Sequence, residues 1–449
     1  MSGAIGERIR AMMPAAKDEL AELVSIRSVA DPRQYPPEEC ARAAEWVRER
    51  FARLGFDDAR LEETPDGSRA VIGMRASADP NARTVLLYAH YDVQPPLDES
   101  AWRTPPFELT EVDGRWHGRG AADCKGNILM HLLAIRALGD DLPVNLKLVV
   151  EGSEEQGTGG LERYVAANPD LLRADAILVC DTGNAAVGAP ALTVTLRGMA
   201  NVVVRVETLA SEIHSGMFGG PAPDALSALI AILASLHDAS GNTTVDGLDH
   251  TQTWDGAPYD AVQFRADAGV LDGVDLVGDG TVADGLWARP ALTVLGIDAP
   301  PVVGSAAAIV PRAAARLNLR VPPKTDPQAA HDALVAHLRS NAPWNVRTTI
   351  ETEAIGAPFS ATTHGPAYRT MAAAMEQAYG VEMTTLGQGG SIPLCNVFAD
   401  TYPDAEIILM GVEEPLTLIH APNESVDPSE IERLAVAEAL FLQSYGRDA

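Results

Sequence analysis

The sequence predicts an α/β protein in which a mixed-sheet α/β domain is interrupted by a smaller α+β domain. Three observations carry that reading. Short apolar runs at residues 85–88, 146–150 (broken only by Lys147) and 176–180 have the look of strands buried in a parallel-like sheet, and a helical pattern at 126–138 lies between two of them. Around Gly198 the rhythm gives way to alternating strands. After Pro358 a helix over 367–379 and a strand over 405–411 restore the first texture. The chain therefore leaves one domain, builds a second and returns, with expected spans 1–197, 198–358 and 359–449.

The first 60 residues read as helical. Leu20, Leu23, Val24 and Ile26 recur among charges, and Ala43, Val47, Phe51 and Leu54 keep a helical period until Gly55 supplies a C-cap. In the middle section, residues 201–207 read as a strand, and 225–236 as an apolar helix starting near Pro223 and Asp224. Between 313 and 321, Ala313, Ala315, Leu317, Leu319 and Val321 face one side while Arg316, Asn318 and Arg320 face the other. That is the pattern of a half-exposed antiparallel strand. Residues 238–280, rich in Gly, Asp and Thr, read as loops. No internal repeat is present.

The chain has 449 residues, 46% hydrophobic and 21% charged, a globular composition too long for one ordinary domain. Its 34 basic and 62 acidic residues give a net charge of −28, which repels phosphate backbones and argues against nucleic-acid and anionic-membrane partners. The apolar stretches are too short to span a bilayer. Arg8, Arg10, Lys17, Glu19 and Glu22 interrupt any secretory layout at the N-terminus, so a soluble cytoplasmic protein is expected. Cys40, Cys124, Cys180 and Cys395 lie far apart without a CxxC pair, which indicates neither a disulfide framework nor a Cys-rich zinc site.

Five segments concentrate the chemistry. His90 and Asp92 follow the run at 85–88; a histidine two residues ahead of an aspartate suits a metal ligand with a supporting carboxylate, and equally a hydrogen-bonded structural pair. Asp123 lies in a glycine-containing turn (residues 118–126) that lacks the GxxxxGK[ST] phosphate pattern. Glu154 and Glu155 follow the strand at 146–150. Two adjacent carboxylates are costly to bury together unless a cation offsets their repulsion, and they divide labour well, one on a metal and one on a proton. Asp181 ends the strand at 176–180, and His420 follows an apolar stretch. Each has a plain structural alternative. Jointly, His90, Asp123, Glu155, Asp181 and His420 form a nitrogen and oxygen ligand set suited to two zinc or manganese ions, with one carboxylate bridging.

At this point the sequence resembles the dinuclear metallopeptidases that include carnosinases, cytosolic dipeptidases, aminoacylases and succinyl-diaminopimelate desuccinylase. The matching segments are HYDVQP from His90, GRGAADCKG from Gly118, EGSEEQG from Glu151, CDTGN from Cys180, HSGMFGG from His214, GGSIP from Gly389 and HAPNE from His420. They occur in the family's order from about residue 20 to the end. The resemblance implies a catalytic α/β domain interrupted by a lid that dimerises. It makes Asp123 the bridge between two metals, His90 and Asp181 the holders of one ion, and Glu155 and His420 those of the other. Asp92 would orient His90, and Glu154 would be the general base. His214 would reach the partner subunit's site to stabilise the developing oxyanion.

Arg320, for which a solvated edge-strand charge is the plain alternative, would hold the substrate's C-terminal carboxylate together with Gly390 and Ser391. The implied activity is hydrolysis of dipeptides by a homodimer. The alternative is deacylation of N-acylated amino acids at the same centre. Cys124 departs from the dipeptidases, many of which carry an acidic residue there, and desuccinylase-like members share a non-acidic one. It reads as a packed small residue rather than a nucleophile, since no histidine partner is placed for it in the sequence.

Overall fold

The computed structural model describes residues 3–447. It divides into two compact units. The first takes the chain up to Val194, then Ala361–Leu386, and again from Pro393; the second takes Thr195–Ser360 and Gly387–Ile392. The short segment at 387–392 thus groups with the second unit, within a span assigned from sequence to the returning half of the first.

The first unit is built on a mixed sheet. Seven of its nine strands are β1 (Arg60–Glu63), β2 (Arg69–Arg75), β3 (Thr84–His90), β4 (Asn145–Glu151), β5 (Ala176–Cys180), β6 (Ala191–Leu196, whose last two residues fall in the second unit) and β7 (Glu406–Met410); the short strands Phe359–Ser360 and Thr384–Gln388 pair with β6. The order is β1-β2-β4-β3-β5-β7-β6. The four central strands β4, β3, β5 and β7 run parallel, and the flanking ones pair antiparallel. The parallel strands are buried because helices cover the sheet, which is why β3 and β5 read as unbroken apolar runs.

The helix Lys125–Leu138 is buried all round except at Arg136. It lies against Gly3–Ser25 and Pro428–Arg447, and the latter also packs on Pro366–Tyr379. Lys125 is fully buried and its Nζ donates to the carbonyls of Leu23 and Ile26, 2.9 and 2.8 Å away, tying the end of the first helix to this central one. The second expected helix spans Pro37–Ala52 and ends before Gly55, whose φ of +84° turns the chain. A small antiparallel sheet of Thr110–Val112, Arg115–His117 and Ser425–Val426 brings the residues after His117 beside those before Ser425.

The second unit is a four-stranded antiparallel sheet in the order Ala291–Asp298, Arg312–Val321, Gly198–Glu207, Arg347–Gly356. Helices Ala225–Ala234 and Pro327–Ser340 cover its apolar face through Leu229, Ile232, Leu334 and Leu338 against Val202, Val204, Leu317 and Leu319. Asp224 caps the first of these helices by accepting from Ser227 N. The strand carrying Arg320 is central, so Arg320 is not an edge-strand charge; its neighbours are Met199 on one side and Ala291 on the other. Residues 238–280 are not all loop, because Asp260 caps a short helix over Ala261–Asp267. Among the described residues no helix is long and apolar enough to cross a membrane.

Candidate metal centre

In an open α/β sheet, functional groups gather beyond the carboxyl ends of the parallel strands. Here all four such ends carry acid or imidazole. β3 ends on His90, β4 leads through Glu151 to Glu154 and Glu155, β5 leads to Asp181, and β7 leads through Gly411 to Glu413. Asp123 arrives from the turn ahead of Lys125–Leu138, and His420 from a loop in which Leu418, His420 and Asn423 all have positive φ.

The two imidazoles converge on one carboxylate. His90 Nε2 lies 3.0 Å from Asp123 Oδ1 and 3.1 Å from Asp181 Oδ1. His420 Nε2 lies 2.9 Å from Asp123 Oδ2 and 3.2 Å from Glu155 Oε2. Asp123 therefore turns one oxygen toward each histidine. Ligand atoms of Asp123, Glu155 and His420 fall within 4.8 Å of one another, as do those of Asp123, Asp181 and Glu413.

The electrostatics fit a cation. Desolvation, followed by the charge of Asp123, pushes Glu155 up to about 7. Desolvation, followed by the charge of Asp181, pushes Glu154 well above the carboxylate range. Burial also acts upward on Asp123, but hydrogen bonds from His420 and His90 outweigh it and hold the group below its ordinary value. The hydrogen bonds of Asp123 and then Glu155 lift His420 to about 11. Divalent ions would serve the same carboxylates without the repulsion, and the imidazole and carboxylate donors suit them.

Supporting groups hold these ligands. Asp92 is buried; its carboxylate accepts from Glu154 N at 3.3 Å and Glu155 N at 3.0 Å, and its Oδ1 is 3.4 Å from His90 Nδ1. Glu424, fully buried, accepts from Gly120 N at 2.9 Å, from Ala122 N and Asp123 N at 3.1 Å, and from Arg119 Nη1 at 2.6 Å. Arg119 also donates to the carbonyls of Pro95 and Ala421. One ion pair thus joins the loops that follow His90, precede Asp123 and follow His420.

Three features of the first unit escaped the sequence reading. Glu424 lies in the HAPNE segment, but its donors become visible only once the turn at 118–123 is folded against it. Glu413 and Glu414 are adjacent carboxylates after a strand, the same signal that marked Glu154 and Glu155. Cys124, expected to have no histidine nearby, has its sulfur within 4.8 Å of His90 and Asp181 ligand atoms. The thiol is fully buried, is pushed up to about 12 chiefly by that burial, and donates to Cys180 O at 3.0 Å.

The remaining candidates belong to the second unit. His214 is exposed, and its Nδ1 accepts from Gly216 N at 3.1 Å. Arg320 is half-buried on the central strand. Gly390 and Ser391 lie in the segment at 387–392, where a Cβ at Gly389 would stand 2.7 Å from Arg197 Nη2. Arg197 is a second guanidinium that sequence reading missed: only 7% exposed, with a buried Nε that has no hydrogen-bond partner. Burial and then the charge of Arg320 lower it to about 10.

Residues 86–444 match the model of Peptidase family M20/M25/M40. The chain is 45% identical over 439 residues to a cysteinylglycine-S-conjugate dipeptidase of Corynebacterium striatum, covering 96% of this chain and 95% of that one. It is 29% identical to a Beta-Ala-His dipeptidase of Rattus norvegicus, covering 86% and 83%. Its structure superposes on human carnosine dipeptidase 1 with a TM-score of 0.83 at 25% identity, covering 99% of this chain and 98% of that one. With a family match over most of its length and relatives aligned almost end to end, the chain belongs to Peptidase family M20/M25/M40, as a metallodipeptidase.

Proposed function

We propose that the chain hydrolyses the amide bond of dipeptides bearing a free C-terminal carboxylate, with two divalent metal ions per subunit. The observation that carries the proposal is Asp123, whose two oxygens face His90 and His420 separately, with Asp181 and Glu155 beyond them. His90 and Asp181 would hold one ion, Glu155 and His420 the other, and Asp123 both. Zinc is the first ion to test and manganese the second, since both accept mixed imidazole and carboxylate donors. When bound, such ions lower the pKa of water toward neutrality and polarise a carbonyl.

The protein's own groups do the rest. Glu154 takes the proton of the attacking water and delivers it to the departing nitrogen, and Asp92 fixes Glu154 and Glu155 through their backbone N–H groups. His214 of the partner subunit donates to the developing oxyanion, a contribution of about 3–4 kcal/mol for a well-placed donor. Arg320, with Gly390 and Ser391, receives the substrate's carboxylate, and Arg197 beside Gly389, which donates to Gly285 O but has no partner at Nε, adds to the positive field there. Dimerisation is supported by the edge strand Ala291–Asp298, which exposes Val294, Leu295 and Ile297 at 38%, 50% and 49%.

The test strips the protein with a chelator, restores zinc or manganese, and offers free dipeptides beside N-acylated amino acids. Metal-dependent cleavage of the free dipeptides is expected. Cleavage of the acylated set alone would move the function to a deacylase, the second reading, which the non-acidic Cys124 favours. In Glu154→Gln, metal content should stay at two equivalents while kcat falls about 10³-fold. Near-normal turnover in that variant would remove Glu154 from its role.

A further inference from the structure

Glu413 and Glu414 are neighbours with opposite situations. Glu414 is engaged: it accepts from Arg115 Nη2 at 2.5 Å and from Leu416 N at 2.8 Å. Glu413 is 7% exposed; among the described residues no protein donor reaches its carboxylate, whose oxygens keep a narrow contact with solvent. Its backbone is held firmly. The Glu413 carbonyl accepts from Asn184 N at 2.8 Å, and Gly183 runs so close that a Cβ there would stand 2.1 Å from Glu413 O. The side chain is thereby committed to the metal centre, with one oxygen within 4.8 Å of ligand oxygens of both Asp123 and Asp181.

A carboxylate this nearly buried and without a protein donor needs a reason. The charges at the centre supply one. Two divalent ions bring four positive charges, which Asp123, Glu154, Glu155 and Asp181 balance with four negative ones, and Asp92 is occupied by backbone N–H groups. Glu413 is one carboxylate more than the ions require. A dipeptide presents its own cation close to the scissile carbonyl, because the α-ammonium of its first residue is only one carbon removed. An N-acylated amino acid has no such charge.

We propose that Glu413 receives the α-ammonium group of the substrate and thereby selects free dipeptides over N-acylated amino acids. The proposal rests on the dipeptidase reading above and adds a specificity-determining residue to it. The carboxylate accepts two N–H bonds from the ammonium, while the scissile carbonyl faces the ligands around Asp123. A substrate lacking the amine covers Glu413 without giving it a partner. Discrimination therefore has two sources, the ion pair that the amine forms and the carboxylate stranded when no amine is there.

The experiment compares wild type, Glu413→Gln and Glu413→Asp, each loaded with zinc, on alanylglycine and on its des-amino analogue propanoylglycine. Metal content is measured alongside, and binding of both compounds is followed by calorimetry in a Glu154→Gln background, with and without Glu413→Gln. Glu413→Gln should keep two metal equivalents, lose at least 30-fold in kcat/KM on alanylglycine and change less than twofold on propanoylglycine. Its affinity for alanylglycine alone should fall at least tenfold. Glu413→Asp, which keeps the charge, should recover part of the preference and serves as the working variant if Glu413→Gln does not fold. Equal losses on both compounds, or loss of one metal equivalent, would overturn the assignment. A wild-type enzyme that ignores alanylglycine would instead refute the dipeptidase reading, while the calorimetric comparison would still judge Glu413.

Discussion

At the scale of single residues, Glu424 shows how much of the centre depends on groups that bind no substrate. Its carboxylate collects three backbone N–H groups from the turn that carries Asp123 and pairs with Arg119, all away from water. Breaking a buried pair strands the other charge and typically costs about 3–5 kcal/mol. Glu424→Gln should therefore lower unfolding stability by that order, read by urea denaturation of the metal-free protein. It should also weaken metal binding in calorimetry, since Asp123 and His420 lose their shared anchor. Unchanged stability together with unchanged metal affinity would show that the turn holds its shape without Glu424. The residue was visible in the sequence as part of HAPNE, but its worth depends on neighbours some 300 positions away.

At the scale of elements, the loop carrying Glu154 and Glu155 is stapled from outside the sheet by Asp66. That side chain accepts from Ser153 Oγ at 2.7 Å, from Ser68 N at 3.1 Å, and from the hydroxyls of Thr64 and Thr158. Burial works upward on Asp66, but these hydrogen bonds prevail and hold the carboxyl well below its ordinary value. Asp66→Asn should cost on the order of 1 kcal/mol near pH 7. Because the folded carboxyl titrates below the unfolded one, this contribution is whole above about pH 4 and disappears as the pH falls further. The stability gap between the two proteins should thus narrow from about pH 4 to pH 3 while staying constant from about pH 7 to pH 5. A gap that persists or widens would mean that Asp66 acts through packing rather than charge.

At the scale of the whole molecule, metal removal is the broadest perturbation. His90, Asp123, Glu155, Asp181 and His420 draw on three strand ends and two loops, so ions held by them would tie together segments from residue 90 to residue 420. Chelation should lower the unfolding temperature, and zinc or manganese should restore it. An ion at 100 times its dissociation constant adds about 2.7 kcal/mol per site. A melting curve indifferent to chelator would argue against a metal centre. Sedimentation of the holoenzyme tests the dimer: a concentration-independent monomer would remove the partner subunit's His214 from the mechanism.

Most element types and the candidate ligands are legible along the chain. Period-2 and period-3.6 patterns report which faces are buried, and that information is local. Residues 85–88 and 176–180 could be read as buried strands because every position there is apolar, and the ligand segments could be read because they sit at the ends of such strands. Adjacency, by contrast, is set by the fold. That Asp123 divides its oxygens between His90 and His420, that Glu424 clasps the turn before Asp123, and that Cys124 lies beside His90 are all contacts between distant parts of the chain. The central position of the strand bearing Arg320 belongs with them, since pairing partners are set by the sheet rather than by the strand's own alternation. Glu413 makes the point most sharply: its sequence context is that of a solvated acidic turn, and it becomes a buried, donorless carboxylate only because β7 lies next to β5 and brings it against Gly183 and Asp181.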